Sequence, residues 1–349
     1  MKNNLLIFIP SIEYGGVEKN LYILTDYLIK KKINVQILSC NFDKSKMFNN
    51  KSKFVGLNFS YLFKVNKKIK YIFCLIQLFF YLLFLKKKPL ILVFQANIYA
   101  VLIAKIFKTK IIVRSNSSPS GWSQNFFKNL LYKFLINMAD EVIVNSVAFK
   151  KQFLNRFKVK AICIFNPFSK KLIKKSLKKK IKNYFFKNKT INILSVGRLT
   201  KQKDHITLLK SFEQLNNKKN FRIIIIGDGP EKNKIDKFII SNNLRQNIKL
   251  VGYKKNPYPY FLKTNIVILT SKFEGLPNIL LEAQFFKKYI ISTNCPTGPK
   301  EILLNGKAGD LIKIGDYKKL SNLINQFPKR KKKILNMIKH GSKYFSRFD

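Results

Sequence analysis

The chain has 349 residues, a length that suits two domains of ordinary size better than one hydrophobic core. Apolar residues make up 46% of it, which is enough for two cores and excludes wholesale disorder. The formal net charge of +51 favours anionic partners such as nucleic acid, nucleotide-sugars or an acidic membrane surface, although an AT-biased coding sequence also produces this abundance of Lys, Asn, Ile and Phe.

Cysteine and histidine are sparse, and their spacing argues against a metal site. Four cysteines lie far apart, no Cys-x-x-Cys pair occurs, and there are two histidines: Cys40, Cys74, Cys163, Cys295, His205 and His340. Structural zinc needs four closely spaced ligands, so neither a metal nor a cofactor is expected, and a reducing, cytoplasmic setting fits best. The apolar run within residues 1–10 is too short for a signal peptide and predicts a first β-strand.

Short β-branched apolar runs, separated by helical patterns, fill the first half of the chain. The predicted strands are 5–9, 35–38, 90–94, 110–113, 141–144 and 161–165. Continuous apolar strands that alternate with helices indicate a parallel sheet covered on both faces. After the first strand, Gly15-Gly16 opens a helix whose backbone amides can approach an anion, or the pair is a simple turn.

The segment 71–85 is apolar except for Gln77, and lysines flank it on both sides. About twenty residues are needed to cross a bilayer as a helix, so this run is too short to span one. It predicts a buried helix that leads into the strand at residue 90. The alternative is a helix that lies in the membrane interface and is held there by its lysines.

The second half repeats the alternation, with predicted strands at 191–196, 222–226, 248–251, 266–269 and 289–292. Two such series predict an α/β chain of two Rossmann-like domains that face each other across a cleft. The predicted divisions are an N-terminal domain 1–168, a lysine-rich linker 169–189, a C-terminal domain 190–327 and a terminal helix 328–349. Because ligands of open α/β sheets bind beyond the carboxyl ends of the strands, the cleft is the expected active site.

Four charged side chains follow strand ends in the second half. The cations are Arg198 and Lys203, and the carboxylates are Glu274 and Glu282 on either side of Gly275, Leu276, Pro277 and Asn278. Pro277 suits the first turn of a helix and leaves backbone amides free at its positive end. Cations balance a diphosphate and carboxylates accept hydrogen bonds from sugar hydroxyls, so the set predicts a nucleotide-sugar site. The alternative is a set of solvated charges in a very basic protein.

These motifs resemble the retaining glycosyltransferases of family 4, which carry a Gly-Arg, a Lys five residues on and a Glu-x7-Glu pair. Gly227-Asp228-Gly229-Pro230-Glu231 also matches, and Asp204 stands where the family usually has glycine. The resemblance covers nearly the whole chain, and it is strongest over residues 191–303. It implies the GT-B architecture and a C-terminal helix that crosses back to the first domain. The form of residues 296–303 is similar to bacterial members that build surface polysaccharides and lipid-linked oligosaccharides.

The resemblance also implies roles for individual residues. Arg198 and Lys203 would bind the donor diphosphate, Glu274 the donor sugar and Glu282 the ribose. Further donor contacts are implied at Gly16, Gly252, Tyr253, Gly275, Leu276, Pro277 and Asn278. Many relatives carry a histidine after the strand at 110–113, where this chain has Arg114-Ser115-Asn116. Either Asn116 or a neighbour takes the place of this histidine, or the subgroup works without one. Arg114 either holds an acceptor phosphate or caps the strand edge.

The expected enzyme is a metal-independent hexosyltransferase. No Asp-x-Asp occurs, so the leaving diphosphate would be neutralised by Arg198, Lys203 and helix-end amides. The resemblance implies a nucleotide-sugar donor, with UDP-hexose or UDP-N-acetylhexosamine expected, and a glycan or polyprenyl-diphosphate-linked acceptor. We expect the protein to lie on the inner face of the cell membrane, where the lysines would bind the anionic surface.

Two other functions remain open. A basic protein that binds nucleic acid or a membrane surface would explain the charge. Its lysines are spread along the chain and no recognition module occurs, so no nucleic-acid partner is expected. A nucleotide-sugar epimerase would need acid and base residues that face the sugar, and His205 and His340 are poorly placed for that.

Overall fold

The computed structural model describes residues 4–12, 15–41, 48, 52–58, 67–94, 97–116, 125–177, 185–187 and 189–348. The chain divides into two units, Met1–Pro167 and Phe168–Asp349. Each unit contains one parallel sheet with helices packed on it. The predicted α/β class with two Rossmann-like units is therefore confirmed.

The sheet of the first unit has seven parallel strands in the order β3-β2-β1-β4-β5-β6-β7. Its strands are β1 Asn4–Phe8, β2 Asn34–Leu38, β3 Lys53–Val55, β4 Leu90–Val93, β5 Ile111–Ser115, β6 Glu141–Val144 and β7 Ile162–Cys163. The apolar runs predicted six of them. Strand β3 was missed because it is a three-residue edge strand that contributes no long apolar run.

Five helices cover the two faces of this sheet: α1 Gly16–Lys30, α2 Lys67–Phe84, α3 Asn97–Ile106, α4 Phe126–Asn137 and α5 Val147–Phe157. Side chains alternate along β1, so Leu6 and Phe8 share a core with α2 to α5, whereas Ile7 shares the opposite core with Leu21 of α1.

Helix α2 forms where the apolar run predicted a helix, but the expectation that it is buried was wrong. One face, at Cys74, Leu78 and Leu82, is fully buried against the sheet. The opposite face, which includes Phe80 and Phe84, is exposed because among the described residues nothing packs over it. No helix in the described ranges is long and apolar enough to cross a membrane.

The sheet of the second unit has six parallel strands in the order β10-β9-β8-β11-β12-β13. They are β8 Ile191–Val196, β9 Phe221–Ile226, β10 Ile248–Leu250, β11 Ile266–Leu269, β12 Tyr289–Thr293 and β13 Asp310–Ile312. Strand β13 was not predicted, because it is a three-residue edge strand that begins with an aspartate.

The helices of this unit are α6 Lys170–Leu177, α7 His205–Glu213, α8 Lys232–Ser241, α9 Tyr258–Leu262, α10 Asn278–Phe285, α11 Pro299–Ile302, α12 Tyr317–Asn325 and α13 Lys331–Tyr344. Helix α6 corrects the interpretation of 169–189 as a linker without a regular pattern. Ile173 is the one buried residue of α6, so its sequence shows no apolar periodicity. The Asn256 side chain donates to the Ser176 carbonyl at 2.7 Å near the C-terminal end of the helix. Residues 178–184 lie outside the described ranges.

A 3-10 turn, Phe327–Arg330, which contains Pro328, separates α12 from α13. Within the second unit, α13 contributes Ile334 and Met337 to the hydrophobic core. The Arg330 guanidinium forms two hydrogen bonds to the Asp310 carboxylate, at 2.9 and 3.1 Å, which ties this turn to β13.

Candidate active site

The site lies where strand order reverses in the second sheet. Successive strands run outward from β8 to β10 on one side and from β11 to β13 on the other. Strands β8 and β11 are therefore neighbours, with Ile193 opposite Ile266. The loops that follow them, residues 197–204 and 270–277, leave the same edge of the sheet in adjacent places. Such a switch point is where open α/β sheets bind ligands.

An ion pair joins these two loops. The ammonium of Lys203 donates to Oε1 of Glu274, and the hydroxyl of Ser271 donates to the same oxygen at 2.6 Å. The side chains of Lys203 and Glu274 are only 17% and 8% exposed. Two hydrogen-bond donors and little access to water keep the carboxylate in one orientation. Glu274 is therefore held in place without a ligand.

Three further hydrogen bonds hold the loops together. The Gln202 side chain donates to the Phe273 carbonyl and the Lys272 amide donates to the Gln202 carbonyl, both at 2.8 Å. The Thr270 hydroxyl donates to the Lys203 carbonyl at 3.1 Å. Sequence reasoning missed Thr270, Ser271 and Gln202. Their polar side chains next to the charged residues were the available signal.

Glycines make the packing around Lys203 possible. The Lys203 stem passes 3.5 Å from the position of a Cβ at Gly197. A Cβ at Gly227 would lie 1.8 Å from the Gly197 carbonyl oxygen, and one at Gly229 would lie 2.4 Å from the Leu199 carbonyl oxygen. The turn at 227–231 therefore supports the loop that carries Arg198.

Asp204 is the N-cap of α7, but its side chain accepts no backbone amide there. Its carboxylate instead accepts from the Thr207 hydroxyl at 2.8 Å. The residue has φ +46°, a left-handed conformation that glycine adopts freely and aspartate tolerates better than most residues. This conformation explains why a glycine fits this position in the resembled family.

Helix α10 presents the second carboxylate. Pro277 precedes the helix as its N-cap, with φ −72° and ψ 110°, so it does not lie in the first turn as predicted. Glu282 follows in the second turn and is buried. The hydroxyl of Tyr258 donates to its Oε1 at 3.4 Å. The amides at the start of α10 and the carboxylate of Glu282 thus come from one short helix, and Gly275 and Leu276 lead into it.

A third loop, after β12, supports Glu274. The Thr297 hydroxyl donates to the Glu274 carbonyl, and Gly298 packs on the backbone of Gly275. Cys295 is buried nearby, and burial together with the negative charge of Glu274 raises the pKa of its thiol to about 12. The supporting role of Thr297 was not predicted from the sequence.

The other predicted donor residues of this unit lie at the same edge of the sheet. Arg198 is exposed after β8, and Tyr253 is exposed after β10. Gly252 has φ +69°, and its carbonyl accepts from the Gly227 amide at 3.1 Å. Arg198 follows β8 at the switch point, whereas Gly252 and Tyr253 follow β10, the edge strand two places away, at the same carboxyl edge of the sheet.

In the first unit, Gly16 starts α1, with Gly15 as the N-cap. Glu18 lies three residues after the N-cap and is buried, and its Oε2 is 2.7 Å from the position of a Cβ at Gly15. A carboxylate near the positive end of the helix is itself favourable.

The two acceptor-side candidates are held by strand ends. The Arg114 guanidinium donates to the Ile164 carbonyl and to Oδ1 of Asn166, both at 3.3 Å, and burial lowers its pKa to about 10, so it stays charged. Asn116 donates to the Phe94 carbonyl at 3.4 Å. Among the described residues, Oδ1 of Asn116 has no hydrogen-bond partner. These contacts favour the alternative that Arg114 holds the strand edge, and its phosphate role stays a prediction.

Neither histidine is placed for proton transfer. His205 is buried in α7, and burial plus the charge of Lys203 lowers its pKa to about 4. It is therefore neutral at physiological pH and faces the core. His340 is exposed on α13, where its Nδ1 lies 2.9 Å from the Asn336 carbonyl. An epimerase that relies on histidine finds no support in this arrangement.

Comparison with known proteins agrees with the geometry. Residues 177–344 match the family described as "Glycosyl transferases group 1". An uncharacterized glycosyltransferase of Methanocaldococcus jannaschii is 33% identical over 219 residues, which are 58% of this chain and 53% of that protein. The N-acetylgalactosamine-N,N'-diacetylbacillosaminyl-diphospho-undecaprenol 4-alpha-N-acetylgalactosaminyltransferase of Campylobacter jejuni is 29% identical over 226 residues, 62% of this chain and 60% of that protein.

The match to solved structures extends over both units. The crystal structure of Anabaena HepE in complex with UDP has a TM-score of 0.77 at 19% identity, covering 99% of this chain and 96% of that one. The chain spans 53% and 60% of the two curated relatives. The predicted resemblance to this class of transferases is thus confirmed, in sequence over the second unit and in fold over the whole chain.

Proposed function

We propose that this chain, whose second unit matches the group 1 glycosyltransferases, is a retaining glycosyltransferase that uses a nucleotide-diphosphate sugar without a metal. The acceptor is a glycan or a lipid-linked glycan in the synthesis of bacterial cell-envelope polysaccharide. The ion pair of Lys203 and Glu274 at the switch point is the observation that carries the proposal. A lysine beside a carboxylate, on loops held by their own hydrogen bonds, suits a ligand that carries both a diphosphate and sugar hydroxyls.

The chemistry assigned to these residues is mainly electrostatic. In the reaction the bond between the anomeric carbon and the diphosphate oxygen breaks, and its electron pair leaves with the nucleoside diphosphate. The acceptor hydroxyl oxygen bonds to the anomeric carbon on the same face, and its proton passes to the released diphosphate. Arg198, Lys203 and the amides at the start of α10 balance the growing negative charge. Glu274 holds the donor sugar, and Glu282 accepts from the ribose hydroxyls.

The donor and acceptor classes are supported by what the relatives are named for. The Anabaena structure holds UDP, and the Campylobacter enzyme is named for a diphospho-undecaprenol acceptor. We therefore assign a UDP-hexose or UDP-N-acetylhexosamine donor and a polyprenyl-diphosphate-linked or glycan acceptor. Such an acceptor resides in a membrane, which fits a peripheral place on the inner face of the cell membrane.

A binding screen tests the proposal. The purified protein is mixed with UDP-, GDP- and ADP-sugars in EDTA at physiological ionic strength, and binding is read by thermal shift and saturation transfer. Inorganic diphosphate is the control, because a protein with charge +51 binds many anions. One nucleotide-sugar that binds well above diphosphate supports the donor site and names its base. Equal binding of all anions, or binding that requires Mg²⁺, contradicts the proposal.

A further inference from the structure

Helices α2, α3 and α4 expose large apolar side chains on their outward faces. On α2 these include Ile72, Ile76, Phe80 and Phe84, which are spaced four residues apart and lie opposite the buried face of the helix. Phe84 is 80% exposed and stacks on Phe80 at 6.5 Å between ring centroids. A helix that packs one apolar face on a sheet and exposes another has a second surface to cover.

The same pattern occurs on the next two helices. Tyr99, Leu102 and Ile106 are exposed along one side of α3. On α4, Phe126 and Phe127 are 74% and 77% exposed, and further apolar side chains follow at helical spacing. Helix α3 packs against both α2 and α4, so the three exposed sides adjoin within the first unit. We call these exposed sides of α2, α3 and α4 the outer face.

Biased composition does not explain the outer face, because the helices of the second unit come from the same chain and hide their apolar residues. Over their whole described length, α7 and α12 expose no large apolar side chain. On α8, α9 and α13 the exposed ones are scattered, namely Ile240, Leu262, Leu335 and Tyr344. Single exposed apolar residues are ordinary on soluble proteins, whereas contiguous patches mark interaction sites.

The charge around the outer face has one sign. No aspartate or glutamate occurs in the sequence between Asp43 and Asp140, a stretch that contains all three helices. Exposed lysines lie near the helix ends, among them Lys86, Lys87 and Lys128. An apolar face bordered by cations is complementary to a surface with apolar depth and an anionic boundary. A second copy of this chain would instead bring lysines against lysines.

We infer that the outer face docks on the surface of a membrane leaflet that contains anionic lipid. The aromatic and aliphatic side chains enter the boundary between headgroups and acyl chains, and the lysines lie among the headgroups. An apolar groove of about 610 Å³ beside α2, lined by Leu57, Phe73 and Phe80 among others, offers space for part of an acyl chain. This inference rests on the membrane location in the proposed function and names the surface that would provide it, but it uses no residue of the proposed donor site.

Vesicle co-sedimentation tests the inference. The full chain is centrifuged with vesicles of phosphatidylcholine, alone or with about one third phosphatidylglycerol, at physiological salt. Two surface variants are compared with wild type, Phe80→Ser/Phe84→Ser on α2 and Phe126→Ser/Phe127→Ser on α4. The matched control, Leu262→Ser/Leu335→Ser, removes two similarly exposed apolar side chains of the second unit. Circular dichroism and the unfolding midpoint check that each variant is folded.

We expect wild type and control to bind the anionic vesicles, and each surface variant to lose at least about tenfold in partition coefficient. If salt abolishes binding and the serine variants bind like wild type, the interaction is a nonspecific attraction between charges. That result would overturn the inference. A dimer by sedimentation velocity that the surface variants dissociate would assign the outer face to a second copy. Donor binding is measured in parallel, so failure here is distinguished from failure of the proposed function.

Discussion

A Cβ atom at Gly298 would lie 1.8 Å from the carbonyl oxygen of Gly275 and 2.7 Å from Cδ of Pro277. The two backbone segments therefore touch at the start of α10, where the loop 270–277 and the loop after β12 meet. Gly298 also has φ +50°, which only glycine adopts without cost. The position of the loop 270–277 thus depends on a residue outside the charged motif.

Gly298→Ala is expected to lower the free energy of unfolding by about 3–5 kcal/mol, because a backbone clash adds to left-handed strain. Donor binding should fall as well, since Gly275 and Pro277 must move. Chemical denaturation measures the first effect and calorimetry the second. Gly315→Ala is the control, because Gly315 has φ +78° and no atom within 4 Å of its Cβ position. It should lose about 1–2 kcal/mol, and equal losses in both variants would contradict the clash.

Lys203→Met keeps the stem that packs beside Gly197 and removes the charge. We expect turnover to fall about 10²–10³-fold, because the leaving diphosphate loses its cation. The free energy of unfolding should drop by about 2–4 kcal/mol, since Glu274 remains buried without its partner. Lys203→Met/Glu274→Gln should recover most of that stability and none of the turnover. Lys201→Met, an exposed lysine of the same loop, is the control. A variant at Lys203 that keeps normal turnover would remove the diphosphate role.

Glu282→Gln tests the ribose contact. In the proposed role the carboxylate would accept from two ribose hydroxyls at once, whereas the amide replaces one acceptor with a donor. The dissociation constant for UDP should rise about 10–100-fold, as expected for hydrogen bonds to a charged group. Isothermal titration calorimetry measures it, and Glu213→Gln, at the exposed end of α7, is the control. Unchanged affinity in a folded variant would assign Glu282 to the Tyr258 contact alone.

His205 makes stability depend on pH. Its pKa is lowered from 6.5 to about 4 because the side chain is buried near Lys203. Between these values the unfolded chain binds a proton that the folded chain does not, so acid favours unfolding. The contribution of neutral His205 to the free energy of unfolding is fully present above about pH 6.5. About 3 kcal/mol of that free energy is lost as the pH falls to about 4.

The measurement is the free energy of unfolding against pH, in wild type, His205→Gln and His340→Gln. The His205 variant should lack this part of the pH dependence, and the His340 variant should retain it because that ring is exposed. An identical slope in all three proteins would show that His205 protonates without unfolding.

Some features were readable from the sequence because they are local. Continuous β-branched runs predicted eleven strands, and the glycines and prolines between them located the turns. The Gly197-Arg198 motif predicted a charged residue at a strand end, and Pro277 predicted free backbone amides at a helix start. The three-residue edge strands β3 and β13 were missed because they present too few apolar residues for a period.

Other features depend on packing between distant segments. The motif contained both Lys203 and Glu274, but their pairing exists because β8 and β11 are neighbours at the switch point. Likewise, α2 is apolar around most of its circumference, so its sequence does not distinguish the face that packs on the sheet from the one that is exposed.

The α/β class, the order of the elements and the residue types available for a nucleotide-sugar site could be predicted from local patterns, because periodicity and turn chemistry act over a few residues. That Lys203 meets Glu274, that Gly298 supports Gly275 and that three neighbouring helices share an apolar outer face follows only from the packed chain. Strand order and the neighbours of each helix determine these relationships, and they result from the packing of the whole chain.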